Sequence, residues 1–502
     1  MKNIFIYALA VLGVIQLSSC SKSFLEVQPK GIQLESNYYK TPEQAFAALT
    51  AAYNPVGWQV GGSDNTYIPL LAMNTAGDEC FAGGGGSGDM PGWQAWNTYD
   101  LTGVVGPQAG FWDRNYTGIY RANLLLERID GVDGLNEDIK KRYVAECRFL
   151  RGYYYFWLVR LFKNVVLSTK PITTDQIYKQ VQTSPDSVYA QIEKDFKAAI
   201  PDLPAAPLPA NEKGRVTKGA ARAFLAKTIM FESGADDNSR MLEAANILEK
   251  VNTSPAYHLL SDFPDIFSPD NKFNAESVFE IPHTQAQNAS WDTWPNYDAN
   301  IYVQMVGPRS FSGPIFWSGG YGFNPLTNKF VNAMKGDPRY QYTVANIDSL
   351  TAATGGSYSA GYDNTGYFIK KFAPRAKYVS TTGQQELNFP NDFIEVRLAD
   401  TYLMEAEALV RGGGDLNKAA HYLNEVRNRV GLPDAPATLK NIYHERRMEL
   451  ATEGHRWFDL IRTGRAAQVL SFKGFKDGVN EMLPIPHVEL NNTKLKQNPG
   501  YN

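Results

Sequence analysis

Apolar positions recur at helical spacing through several long segments of the chain. The first opens at Thr41-Pro42-Glu43, where a capping threonine and a first-turn proline start a predicted helix that runs to Tyr53. Residues 111–129 and 137–162 form a predicted helix pair. In its second member Tyr143, Cys147, Leu150, Tyr154, Trp157 and Leu161 fall on one face, the mark of a helix turned toward a core. An internal echo points to a repeat: Ala244-Ala245-Asn246-Ile247-Leu248-Glu249-Lys250-Val251 is similar to Ala419-Ala420-His421-Tyr422-Leu423-Asn424-Glu425-Val426. Each follows a longer alanine-rich helix, and each pair spans about one tetratricopeptide unit. Small alanines let helices approach closely, and stacked pairs bury a core that one pair cannot.

Between these blocks the pattern is lost. Residues 54–110 and 253–391 are rich in Gly, Pro, Asn, Ser and aromatics, and read as long loops with short strands. The expected organisation is one mainly α domain over 20–502. Its helical scaffold lies mainly in 37–53, 111–251 and 392–470, and a loop-rich lobe in 54–110 and 253–391. Loops of that length on a rigid scaffold usually carry function.

Composition narrows the class. With 502 residues, 43% apolar and 13% aromatic, the chain can bury a large core. Its 49 basic and 52 acidic residues nearly cancel and are interspersed, so no basic stripe suits nucleic acid. At the start, Lys2 precedes an apolar stretch that ends in Leu17-Ser18-Ser19-Cys20, the form of a lipoprotein signal peptide over 1–19 with lipidation at Cys20. The stretch is too short to span a bilayer, which needs roughly 20 apolar residues. Only Cys80 and Cys147 remain, so no disulfide framework or zinc pair of cysteines is expected.

Several motifs, taken in order, resemble the SusD/RagB lipoproteins of Bacteroidota. They are the opening Ser23-Phe24-Leu25-Glu26 with Pro29, the helix Glu146-Cys147-Arg148-Phe149-Leu150-Arg151-Gly152-Tyr153-Tyr154-Tyr155-Phe156, and Arg215-Val216-Thr217-Lys218-Gly219-Ala220-Ala221-Arg222. Further on come Arg397-Leu398-Ala399-Asp400-Thr401-Tyr402 and Glu445-Arg446-Arg447-Met448-Glu449-Leu450, continuing through Trp457-Phe458-Asp459-Leu460, and the ending Gln497-Asn498-Pro499-Gly500-Tyr501. The resemblance implies a tetratricopeptide-like helical scaffold with an irregular ligand-binding lobe. It also implies a lipid-anchored, surface-facing place on the outer membrane as the lid of a SusC-like, TonB-dependent transporter. Ser21-Lys22-Ser23 stands where many surface lipoproteins of this group carry an acidic cluster.

No catalytic constellation emerges, and no metal or cofactor is expected. The six histidines are scattered, and His444-Glu445 with His455 lacks the spacing of a helical zinc site. Gly84-Gly85-Gly86-Ser87-Gly88 has the letters of a nucleophile elbow without the apolar strand that must precede it. The alternating arginines and acids from Arg446 to Arg462 read as an ion-pair network between packed helices. Aromatics in polar loops are the better signal, since a ring face suits sugar C–H groups while Asn, Asp and Arg bind hydroxyls. The candidates are Trp93, Trp96 and Asn97 with Asp78, then Trp291, Trp294, Trp317 and Tyr321, led by Trp96 with Asn97 and Trp317. The other reading is that some of these rings pin the loops onto the helices. The expected function is capture of an oligosaccharide for a transporter, with a peptide ligand as the alternative and a surface glycoside hydrolase behind both.

Overall fold

The computed structural model describes residues 38–59, 68–286, 290, 299–313 and 318–501. Cys20 with its signal peptide, Trp291, Trp294 and Trp317 lie outside the described residues.

Helix α1 (Pro42–Tyr53) starts as the sequence predicts. The Thr41 side chain accepts from the Gln44 N–H, and the Gln44 side chain accepts from the Thr41 N–H, closing a capping box. Two short helices, α2 (Pro69–Ala76) and α3 (Pro91–Asn97), follow in the stretch read as loop, each opened by a proline at its first position. The scaffold proper is α4 (Gln108–Arg128), α5 (Glu137–Phe162), α6 (Pro185–Ala199), α7 (Lys218–Ser233) and α8 (Met241–Asn252). Each packs on the next: α4 on α5, α5 on α6, α6 on α7, and α7 on α8.

Strand β1 (Ser277–Ile281) leads into a mixed segment with α9 (Asn328–Met334), β2 (Val344–Asn346), α10 (Ile347–Thr354) and β3 (Tyr367–Ile369). Then β4 (Phe393–Arg397) pairs antiparallel with β1, while β2 pairs antiparallel with β3. The chain returns to helix in α11 (Leu398–Gly412), α12 (Leu416–Arg429), α13 (Leu439–Glu449) and α14 (Arg456–Arg462). Helix α8 packs on α11, and α11 on α12, so the two echo segments sit in neighbouring pairs of one tetratricopeptide-like stack. Matching positions are buried in both: Ala244 with Ala419, Leu248 with Leu423, Val251 with Val426. Lys418 bridges the pairs through Glu249 and Glu405, each at 2.7 Å.

Helix α5 is the hub. Phe149, Tyr153 and Phe156 lie edge-on against Phe224 of α7. Its polar groups are spent inward: Arg151 forks onto Asp195 at 2.8 and 2.6 Å, and the Tyr154 hydroxyl donates to the Ala52 carbonyl. Gly118 of α4 is what allows that close approach, because a Cβ there would stand 2.2 Å from the Tyr154 ring.

The Arg446–Arg462 run is the ion-pair network the sequence suggests. Arg446 donates to Asp459 and Asp400, while Arg462 forks onto Glu407. A second knot ties the mixed segment to the helices. Arg397 donates to Glu453 and Glu449, Arg339 to Glu445 and Glu449, and Lys371 to Glu453. Burial alone would raise the Glu449 and Glu453 carboxyls, but the surrounding guanidinia overcome it and hold both below the usual range. Cys80 and Cys147 are both buried and free.

Candidate functional site

The first group of sequence candidates is consumed by the core. Trp93 is 0% exposed and meets Phe323 edge-on at 5.4 Å, in a satellite cluster with Tyr302, Phe330 and Phe372. Trp96 is 1% exposed and stands edge-on to Phe111 at 6.0 Å and Trp457 at 5.9 Å. Neither ring has a face left for a ligand, so the stacking expected of them is corrected to loop anchoring. Asn97 is buried too, and its side-chain oxygen accepts from the Ala82 N–H at 3.2 Å. Asp78 accepts from Arg456 at 2.6 Å and from Arg447 at 2.8 Å. Burial opposes its ionisation, yet the two guanidinia hold its carboxyl below the usual range. Asp78 is a structural counter-ion rather than a ligand contact.

These anchors have company. Lys473 donates to the carbonyls of Thr75 and Cys80, and Asn74 donates to the Tyr302 hydroxyl and the Thr452 carbonyl. Residues 68–101 therefore lie on the scaffold as a fixed floor, with Trp93, Trp96 and Tyr99 buried in it.

Tyr321 is the exception, and around it three loops converge. The 81–90 loop joins 318–323 through the Gly84 N–H, which donates to the Gly322 carbonyl at 2.9 Å. The 357–363 loop joins the first of these and residue 309: the Tyr362 N–H donates to the Gly84 carbonyl and the Ser359 N–H to the Arg309 carbonyl, each at 2.8 Å. Arg309 locks the junction. Its guanidinium donates to the Tyr321 carbonyl at 3.3 Å and lies so close over Gly85 that a Cβ there would stand 3.0 Å away. Asp89 accepts from the Gly85 N–H at 2.7 Å and keeps the glycine loop from fraying.

The outer face of this junction mixes rings and polar groups. Tyr321 is half-buried and Tyr362 exposed, while Arg309 and Glu386 are partly exposed. Burial, then the nearby Glu386 carboxylate, raises the Tyr321 hydroxyl above its ordinary pKa, so it stays a neutral donor at physiological pH. Tyr358 donates to Asp348 and accepts from Asn364, a polar edge beside the same loop. Such a surface offers flat apolar faces with hydrogen-bonding groups at their margins. Trp317, Trp291 and Trp294 lie outside the described residues. Arg309, Tyr362 and Glu386 were not singled out from sequence. Gly361-Tyr362 carries the same signal as the chosen tryptophans, an aromatic in a glycine-rich stretch, but Tyr is far commoner in this chain than Trp.

Comparison with known proteins places this architecture. The model of the SusD family matches residues 275–501, and a second family model, starch-binding associating with outer membrane, matches residues 65–230. A laminarin-binding SusD-like protein of known structure is 40% identical, with a TM-score of 0.86 over 92% of this chain and 100% of the other. Surface glycan-binding protein A from Bacteroides thetaiotaomicron, solved with laminarihexaose, is 28% identical with a TM-score of 0.83 over 91% of this chain and 100% of its own. SusD-like protein P25 of Formosa agariphila is 26% identical over 76% of each chain. The helical stack, the loop junction set upon it and the likeness along nearly the whole described length agree: the chain belongs to the SusD family.

Proposed function

We propose that this protein is a lipid-anchored glycan-binding protein of the outer-membrane surface, that its ligand is a laminarin-type glucan, and that it passes this ligand on unchanged. The observation that carries the reading is the 40% identity along 92% of the chain to a laminarin-binding protein. The loop junction gives it a physical basis. Tyr321 and Tyr362 provide ring faces, and Arg309 and Glu386 provide hydroxyl partners, on loops fixed by the network beneath them. Trp317, Trp291 and Trp294 remain proposed contacts of the same face. Each stacked ring contributes about 0.5–1.5 kcal/mol, so affinity should lie in the micromolar to millimolar range. Tyr321→Ala should weaken binding of laminarin oligosaccharides about tenfold with an unchanged unfolding midpoint. Calorimetric titration checks this, and equal affinity in the variant would remove Tyr321 from the site.

Anchoring rests on Leu17-Ser18-Ser19-Cys20. Among the described residues no helix is long and apolar enough to cross a membrane, so attachment through acyl chains on Cys20 accounts for a membrane location. Cys20→Ala should move the protein from the membrane fraction to the soluble fraction of its native cells, read by fractionation and immunoblotting. Retention of the variant on the membrane would refute the anchor. Handing the glycan to a SusC-like, TonB-dependent transporter completes the proposal, supported by family membership.

A further inference from the structure

Apart from the loop junction, a cleft of about 280 Å3 opens between the 206–217 loop, Tyr257 at the end of the α8 turn, and β1. That volume is just below the 300 Å3 or so at which small-molecule pockets begin. None of its lining residues belongs to the assembly around Arg309 and Tyr321. Pro207 and Phe273 supply apolar wall, while Thr217, Tyr257, Ser277 and Glu280 supply polar groups. Phe273 is held at φ 51°, a left-handed conformation that costs a bulky residue energy and that recurs at ligand clamps.

The charge balance of the cleft selects its ligand. Glu280 is 5% exposed, and both its oxygens face the Phe273 N–H at 3.0 and 2.9 Å. Its charged neighbour is Asp392, whose Oδ1 accepts from Lys272 and the His283 N–H and whose buried Oδ2 has no hydrogen-bond partner. A proton on Glu280 would let it donate to Asp392, the carboxyl it interacts with through its side chain. Burial and the Asp392 charge push Glu280 up to about 8, so the proton is present at neutral pH. Two carboxyls, one proton and the Lys272 ammonium then sum to zero. At the rim, Arg215 is committed to Glu146 and Glu212, and the exposed Lys213 ammonium stands 5.5 Å over the Phe273 ring. The neutralised pair gives a cationic ligand no counter-ion, and Lys213 at the rim repels it. A neutral ligand with one apolar face and several hydroxyls meets neither penalty.

We propose that this cleft is a second ligand site that takes a single neutral hexose ring, with Phe273 and Pro207 along its C–H face and Ser277, Tyr257 and Glu280 bonding its hydroxyls. Saturation-transfer NMR of the purified protein with glucose, galactose and mannose tests it. At least one hexose should bind the wild type and Tyr321→Ala alike, and should bind Ala256→Trp, which fills the cleft, about tenfold more weakly. Ser277→Ala keeps the wall intact and should weaken binding about threefold, which guards against misfolding of the tryptophan variant. Absence of hexose binding to the wild type would overturn the proposal. So would binding that survives both cleft variants or that disappears in Tyr321→Ala. The loop-face reading stands or falls separately, on oligosaccharide affinity in Tyr321→Ala.

Discussion

Arg397→Met should lower unfolding free energy by about 3–5 kcal/mol. Arg397 leads from β4 into α11 and reaches five acceptor oxygens at once, among them Glu276 Oε2 at 3.3 Å. Its guanidinium donates to both oxygens of Glu453, to the Glu449 carboxylate and to the Glu449 main-chain carbonyl. All three side chains are buried. Methionine keeps the stem but leaves Glu453 with Lys371 alone, and Glu449 with Arg339 and Arg429 alone. Glu453 then drives the loss, because its buried carboxylate keeps one ammonium partner in place of a guanidinium fork and its desolvation is no longer fully offset. Equilibrium urea unfolding reads the change directly, and a loss below about 1 kcal/mol would show the knot to be dispensable. The same knot joins Glu276 beside β1 and Arg339 near α9 to the helices, so the variant should also loosen the loops that it supports.

Trp96→Ala should cost about 3–5 kcal/mol as well, by a different route. The ring sits between Phe111 of α4 and Trp457 of α14, and its removal leaves a cavity where three aromatic edges met. The informative part of this prediction is what stays constant. Glycan affinity per folded molecule should be unchanged, since the indole has no face toward solvent. A large fall in affinity with stability intact would restore Trp96 to the ligand face and undo the correction made above.

The contrast between Trp96 and Tyr321 shows how far the sequence could be read. Helix α5 begins at Glu137 and ends at Phe162, as its pattern predicts, because a buried face in its first half and burial on every side from Phe149 to Val159 write themselves into the chain. The Arg446–Arg462 network was legible for a related reason: alternating arginines and acids among Trp457, Phe458 and Leu460 have few other ways to be buried. Helices α2 and α3 were not legible. With eight and seven residues, they are too short for a period to stand out among glycines and asparagines. The site was least legible. Whether an aromatic in a polar loop faces inward depends on partners remote in sequence, Trp457 for Trp96 and Phe323 for Trp93, and local composition carries no record of them. Arg309 shows the converse. It is an ordinary arginine by sequence and becomes the lock of three loops only when Gly85 and Tyr321 are brought beside it.

The most direct test of the central claim is calorimetric titration of the purified protein with laminarihexaose, followed by product analysis after prolonged incubation. The account predicts saturable binding with a dissociation constant between about 1 μM and 1 mM and recovery of the hexasaccharide intact. Absence of binding to laminarihexaose, or its cleavage by the protein, would contradict it.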